Sequence, residues 1–120
     1  MKYLLKESQI SKLVFHYLDA QDWWTWDIGD GEFNVADGKY GKDLFRFRIQ
    51  NSSTVPDHEF NVLYIEDNLV TKISKLFSIS NDDSVKLIID WFNKEYGKSL
   101  TVNDFEWIES DTYYDDEEEN

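Results

Sequence analysis

Between Ser8 and about Ala20 the apolar residues Ile10, Leu13, Val14, Tyr17 and Leu18 recur at i, i+3, i+4, i+7 and i+8. That spacing puts them on one face of an amphipathic helix, with Ser8 placed to cap it. The next segment, Trp23-Trp24-Thr25-Trp26-Asp27-Ile28, is bulky and β-prone, and opens a sheet. Asp30-Gly31 and Asp37-Gly38 are turn signals, with a short strand available between them at Glu32 to Ala36. From Leu44 to Ile49 the pattern alternates, Phe45, Phe47 and Ile49 against Leu44, Arg46 and Arg48, as in a half-buried strand. A polar loop over 51–57 precedes another strand, Glu59 to Glu66. Phe60, Val62 and Tyr64 there alternate with Asn61, Leu63 and Ile65. Both faces of that strand are fairly apolar, which places it centrally.

Two helices follow. Asn68 is a candidate cap for Leu69 to Phe77, and Ser80 with Asp83 resembles a capping box for a helix at 82–96 that stops at Gly97. A final strand is expected at 104–109. The pattern predicts an α+β fold of one domain over residues 1–110. Its three- to four-stranded, mostly antiparallel sheet carries helices packed on one face. The expected core is Leu13, Val14, Tyr17, Phe45, Phe47, Val62, Tyr64, Ile73, Phe77, Ile88, Phe92 and Trp107. A chain of 120 residues holds one such core and not two.

Charge changes the picture more than composition does. Twenty-five acidic residues face twelve basic ones, a net charge of −13. Residues 111–120 hold six of those acids, Asp111, Asp115, Asp116, Glu117, Glu118 and Glu119, and no base. Nineteen acids and twelve bases remain, or −7, so the domain is acidic without its tail. Such a tail is expected to be disordered, and such a surface repels nucleic acid and anionic membrane while favouring basic partners. No direct nucleic-acid binding is expected. There is no Cys, which excludes disulfides, thiolate metal sites and cysteine nucleophiles. The apolar stretch at the N-terminus is too short for a signal-peptide core, and no segment approaches a membrane span. A soluble protein of the cytoplasm is the expectation.

Candidate chemistry is thin. His16 and His58 are too few for a histidine metal cluster and read as surface residues. Asp27 to Glu32 has the look of a calcium loop, but the glycine and the bidentate glutamate fall out of place in either register. No phosphate-cradling loop, nucleophile elbow or dinucleotide fingerprint is present. Neither catalytic residues nor a metal or other cofactor is expected. Arg46 and Arg48 share the polar face of their strand, where neighbouring carboxylates on adjacent strands are the expected partners. The binding candidates are Trp23, Trp24 and Trp26. Two share a strand face and the third takes the other, so a one-sided core cannot hold all three, and an exposed Trp is an interface anchor. Asp27, Asp30, Glu32 and the tail acids Asp115, Asp116, Glu117, Glu118 and Glu119 are the candidates for steering a basic partner.

Lys2-Tyr3-Leu4-Leu5-Lys6-Glu7-Ser8-Gln9, with Leu13, Tyr17 and Leu18, resembles the opening of small proteins encoded by tailed bacteriophages. Val62-Leu63-Tyr64-Ile65 through Ile88-Ile89-Asp90-Trp91-Phe92 and Tyr96 is similar to their strand–helix–helix segment. The resemblance implies a viral accessory protein acting in the host bacterial cytoplasm, and it carries over no site residue. Joined to the charge, it gives the expected function: a non-enzymatic protein that binds and modulates or inhibits a host protein with a basic surface. Nucleic-acid mimicry at a basic groove is the expected mode, and the protein itself is expected to be a monomer or weak homo-oligomer. A phage structural or assembly module is the alternative, followed by a small hydrolase or nuclease built on a carboxylate site.

Overall fold

A computed structural model describes residues 7–51 and 59–108. The acidic tail, with the disorder expected of it, lies outside those residues. The first helix, α1 (Glu7–Asp19), leads into a hairpin of β1 (Trp24–Gly29) and β2 (Glu32–Ala36). Gly29, Asp30 and Gly31 make the turn with φ of 103, 57 and 85°. Two of these three left-handed positions are glycine, and Asp is among the residues that tolerate the third. β3 (Asp43–Asn51) and β4 (Glu59–Ile65) complete an antiparallel meander.

α2 (Asp67–Phe77) and α3 (Asn81–Tyr96) follow, and a single 3₁₀ turn at Val102–Asp104 leads into β5 (Phe105–Trp107). Ser80 caps α3, its hydroxyl accepting the Asp83 N–H at 3.0 Å, and Gly97 ends it at φ 67°. The cap of α2 is Glu66 rather than Asn68. The chain is still extended at Glu66, and its carboxylate accepts the Leu69 N–H at 3.1 Å.

The sheet has five strands, not three to four, in the order β1-β2-β3-β4-β5. The short strand at Glu32–Ala36 is a full member, paired on both sides. β5 runs parallel to β4, because the two intervening helices carry the chain back before it re-enters the sheet. The sheet is therefore mixed, with its parallel pair at one edge. None of the described helices is long and apolar enough to cross a membrane.

Register decides which side chains meet the helices. Phe33 pairs with Phe47 and Val35 with Phe45, and across β3 these face Leu63 and Ile65. Phe92 of α3 lies over them, its ring 5.4 Å from Phe45, 5.8 Å from Phe33 and 6.1 Å from Phe47. Val14, Phe45, Phe47, Val62, Ile73, Ile88 and Phe92 are buried as expected. Tyr17 and Phe77 are half-buried, edge to face at 6.1 Å.

Three expected core residues stand elsewhere. In β4 the helix-facing pair is Leu63 and Ile65, so Tyr64 is on the outer face, opposite Arg46. Val62 shares that outer face and is buried there. Leu13 is 45% exposed: α1 packs on α3 and lightly on α2, a narrower contact than its apolar stripe. Trp107 is 43% exposed, because β5 is an edge strand and nothing among the described residues covers its far side.

Candidate interaction surface

The tryptophans separate as strand alternation requires. Trp23 precedes β1 and turns toward the core, edge-on to Phe45 at 5.9 Å and to Trp91 at 5.8 Å. Trp24 and Trp26 point to the outer face, 42% and 41% exposed, with ring centroids 5.9 Å apart. Ile28 is exposed like them and sits where the β1–β2 register shifts, between Asp27 and Gly29. Sequence reasoning had put Ile28 in the strand without assigning it to the surface, although its two-residue spacing from Trp26 carried that signal. Lys39 extends over the Trp24 ring at 5.6 Å and lies equally far from the ring of Tyr40, the most exposed large hydrophobic side chain among the described residues.

β1 is exposed along its whole length. It is one of the two edge strands, and α3 reaches over the strands next to it instead. On its inner side, Thr25 lies near the Tyr96 phenol. Burial raises the Tyr96 phenol above its ordinary 10.0; the Thr25 side chain partly offsets this, and the Glu95 charge adds to it.

The candidate acids have different settings. Asp27 is exposed on the inner face of β1, its Oδ1 accepting the Gly29 N–H at 2.9 Å. Asp30 stands exposed at the hairpin tip. Glu32 is half-buried, and its Oε2 accepts the Ile49 N–H at 2.9 Å, closing the end of the β2–β3 ladder. Asp27 and Asp30 are therefore the outward charges of this hairpin, while Glu32 is committed to the sheet. Asp115, Asp116, Glu117, Glu118 and Glu119 lie outside the described residues.

Across the outer face a row runs Trp26, Asn34, Arg46, Tyr64, Glu106 through all five strands. A groove of about 330 Å³ there is lined by Glu32, Arg46, Arg48, Gln50 and Tyr64. Its arginines are already engaged. Arg46 Nε donates to Asp43 Oδ2 at 2.9 Å, and Arg48 Nη1 donates to the carbonyls of Phe47 and Phe33 at 3.0 and 3.3 Å. The expected carboxylates on adjacent strands are not what these arginines use: Arg46 pairs with Asp43 of its own strand, and Arg48 with backbone carbonyls.

The other built feature is Glu66, buried beside a cavity of about 210 Å³ that Tyr17, Gln21, Asp37, Lys42 and Lys72 help to line. Lys42 Nζ lies 3.6 Å from its Oε2, while Oε1 holds the start of α2. Both oxygens serve the fold. Among the described residues no group of three or more His, Asp or Glu is placed to share a metal ion.

The surface available for recognition is thus the Trp24–Trp26–Ile28 row and its acidic hairpin. Set against protein-family models, curated proteins and solved structures, the chain has no significant match.

Proposed function

We propose that this protein is a non-enzymatic interaction protein that uses the tryptophan row of β1 to bind a host protein with a basic surface. On this reading it is an acidic phage accessory protein, and it modulates or inhibits its partner where that partner accepts nucleic acid. One observation carries the proposal: two large indoles side by side, each about two-fifths exposed, on a strand whose outer edge pairs with no described residue. Buried in a partner's pocket, a Trp of this kind is the usual interface hot spot. The net charge of −13, with Asp30 at the hairpin tip and Asp27 exposed on the other face of the same strand, supports a basic partner, because complementary charge raises encounter rate and suppresses wrong partners. The phage and host terms rest on the sequence resemblance.

The test is capture from host lysate, followed by competition. A partner retained by the wild-type chain should be lost with Trp24→Ala/Trp26→Ala, at a cost of about 2 kcal/mol or more, roughly thirtyfold in Kd. Asp27→Asn/Asp30→Asn should slow association and flatten its salt dependence while leaving dissociation nearly unchanged. Excess nucleic acid should displace the protein from its partner. Equal retention by the Trp double variant overturns the proposal, and simultaneous binding of nucleic acid removes the mimicry.

A further inference from the structure

β1 is left with an open side. It is six residues long, exposed along its length, and hydrogen-bonded among the described residues to β2 alone. The opposite edge, β5, is only three residues long. Edge strands are normally blunted by Lys, Pro, shortness or a bulge. β1 has no Lys or Pro, and it pairs regularly with β2 from Trp24 to Asp27, the register shifting only between Asp27 and Gly29.

We propose that a second copy of the chain supplies the missing neighbour, β1 pairing antiparallel with β1 about a twofold axis at Trp26. This deepens the reading of the tryptophan row as a binding surface and rests on it, because pairing builds that surface from two subunits. The residue pattern favours this register. Centred on Trp26, the pairing sets Trp24 opposite Ile28 of the partner subunit, Trp26 opposite Trp26 of the partner subunit, and Thr25 opposite Asp27 of the partner subunit. Every apolar side chain of the outer face then meets an apolar one. Centring on Asp27 would oppose two carboxylates directly, and centring on Thr25 would set Asp27 against Trp23 of the partner subunit.

Charge agrees with the pattern. Lys39 lies beside Trp24 at one end of the strand, and Asp30 stands past Ile28 at the other. Antiparallel pairing brings each Lys39 to the end where Asp30 of the partner subunit stands, twice over by symmetry. The paired sheet is continuous through both copies. Its outer face carries one apolar ridge, with Trp24, Trp26 and Ile28 of each subunit in register. The net charge of −13 per copy opposes association, so the dimer depends on concentration.

The test is molar mass by light scattering across a concentration series. The wild-type chain should rise from 14.3 kDa toward twice that mass. Trp26→Lys and Trp26→Glu, at an exposed position, should each stay at the lower mass. Mixed in equal amounts they should recover the dimer, because unlike charges then face each other across the axis. A second measurement needs no charge change. The chain has no Cys, so copies carrying Trp24→Cys mixed with copies carrying Ile28→Cys should form a disulfide-linked dimer faster than either alone.

A wild-type mass of 14.3 kDa at every concentration overturns the dimer, as does cross-linking no faster in the mixture. Partner capture separates this from the parent reading. A monomer whose capture still needs Trp24 and Trp26 sinks the dimer alone. A dimer that captures its partner equally well without them sinks the interaction reading alone.

Discussion

The indole N–H of Trp91 donates to Asp19 Oδ1 at 2.9 Å, tying the middle of α3 to the last residue of α1 across seventy-two positions of sequence. Trp91 is buried, so its one polar atom needs this acceptor. Trp91→Phe keeps most of the ring and loses the bond. The expected cost is about 1–2 kcal/mol, because the exposed Asp19 is resolvated by water once released. Asp19→Ala should cost at least as much, since it leaves the buried N–H without its acceptor. Chemical denaturation of both variants and of the double variant measures the coupling. Additive effects would remove the bond from the account of stability.

Phe92 is fully buried and stacks or tilts against Phe33, Phe45, Phe47 and Tyr96. Phe92→Ala should cost about 3–5 kcal/mol, a large part of the roughly 5–15 kcal/mol of a whole domain. Phe92→Leu should cost clearly less. Equal melting temperatures for wild type and Phe92→Ala would contradict the packing described above.

The Lys42–Glu66 pair is asymmetric, and the asymmetry is testable. Glu66 is buried while half of the Lys42 side chain is exposed. Removing the lysine leaves a buried carboxylate with less compensation, so Lys42→Met should destabilise by about 1–3 kcal/mol. Adding Glu66→Gln should recover most of that loss, because the amide oxygen still accepts from Leu69 and carries no charge. Glu66→Ala, which loses the cap, should cost about 0.5–2 kcal/mol by itself. Thermal melts of the three variants beside wild type decide it.

Tyr96 gives the fold an alkaline sensitivity. Its folded value lies above the 10.0 of the unfolded chain, chiefly through burial. Above that pH the unfolded chain releases its proton first. The stabilisation is thus fully present below pH 10.0 and is lost as pH rises through the folded value. Tyr96→Phe removes the titration, and its stability should fall less steeply than wild type above pH 10.0. Parallel slopes in urea melts over that range would contradict this.

Much of the fold could be read from periodicity, and the departures share one cause. Phe45 and Phe47 against Arg46 and Arg48 gave strand and face together, because only one side was apolar. In β4 both sides were apolar, and only pairing with β3 decides that Leu63 and Ile65, not Tyr64, meet the helices. Leu13 and Trp107 have the composition of core residues but lie where no second layer reaches, which is a property of topology. Glu66 escaped notice as a cap because the alternation of β4 runs straight through it. For the binding surface, alternation required the Trp23–Trp26 run to split between two faces, but not which indole would be covered. α3 covers Trp23, by way of Trp91.

The parallel pairing of β5 with β4 also orders events in time. β1 to β4 form a meander of neighbours, whose contacts close short loops and are reached early. Residues 105–107 must wait for both helices to be made before they can pair with 63–65. Until they do, β4 is the open edge of a four-stranded antiparallel sheet. The parallel pair is therefore the last part of the sheet that can close, and it removes that open edge.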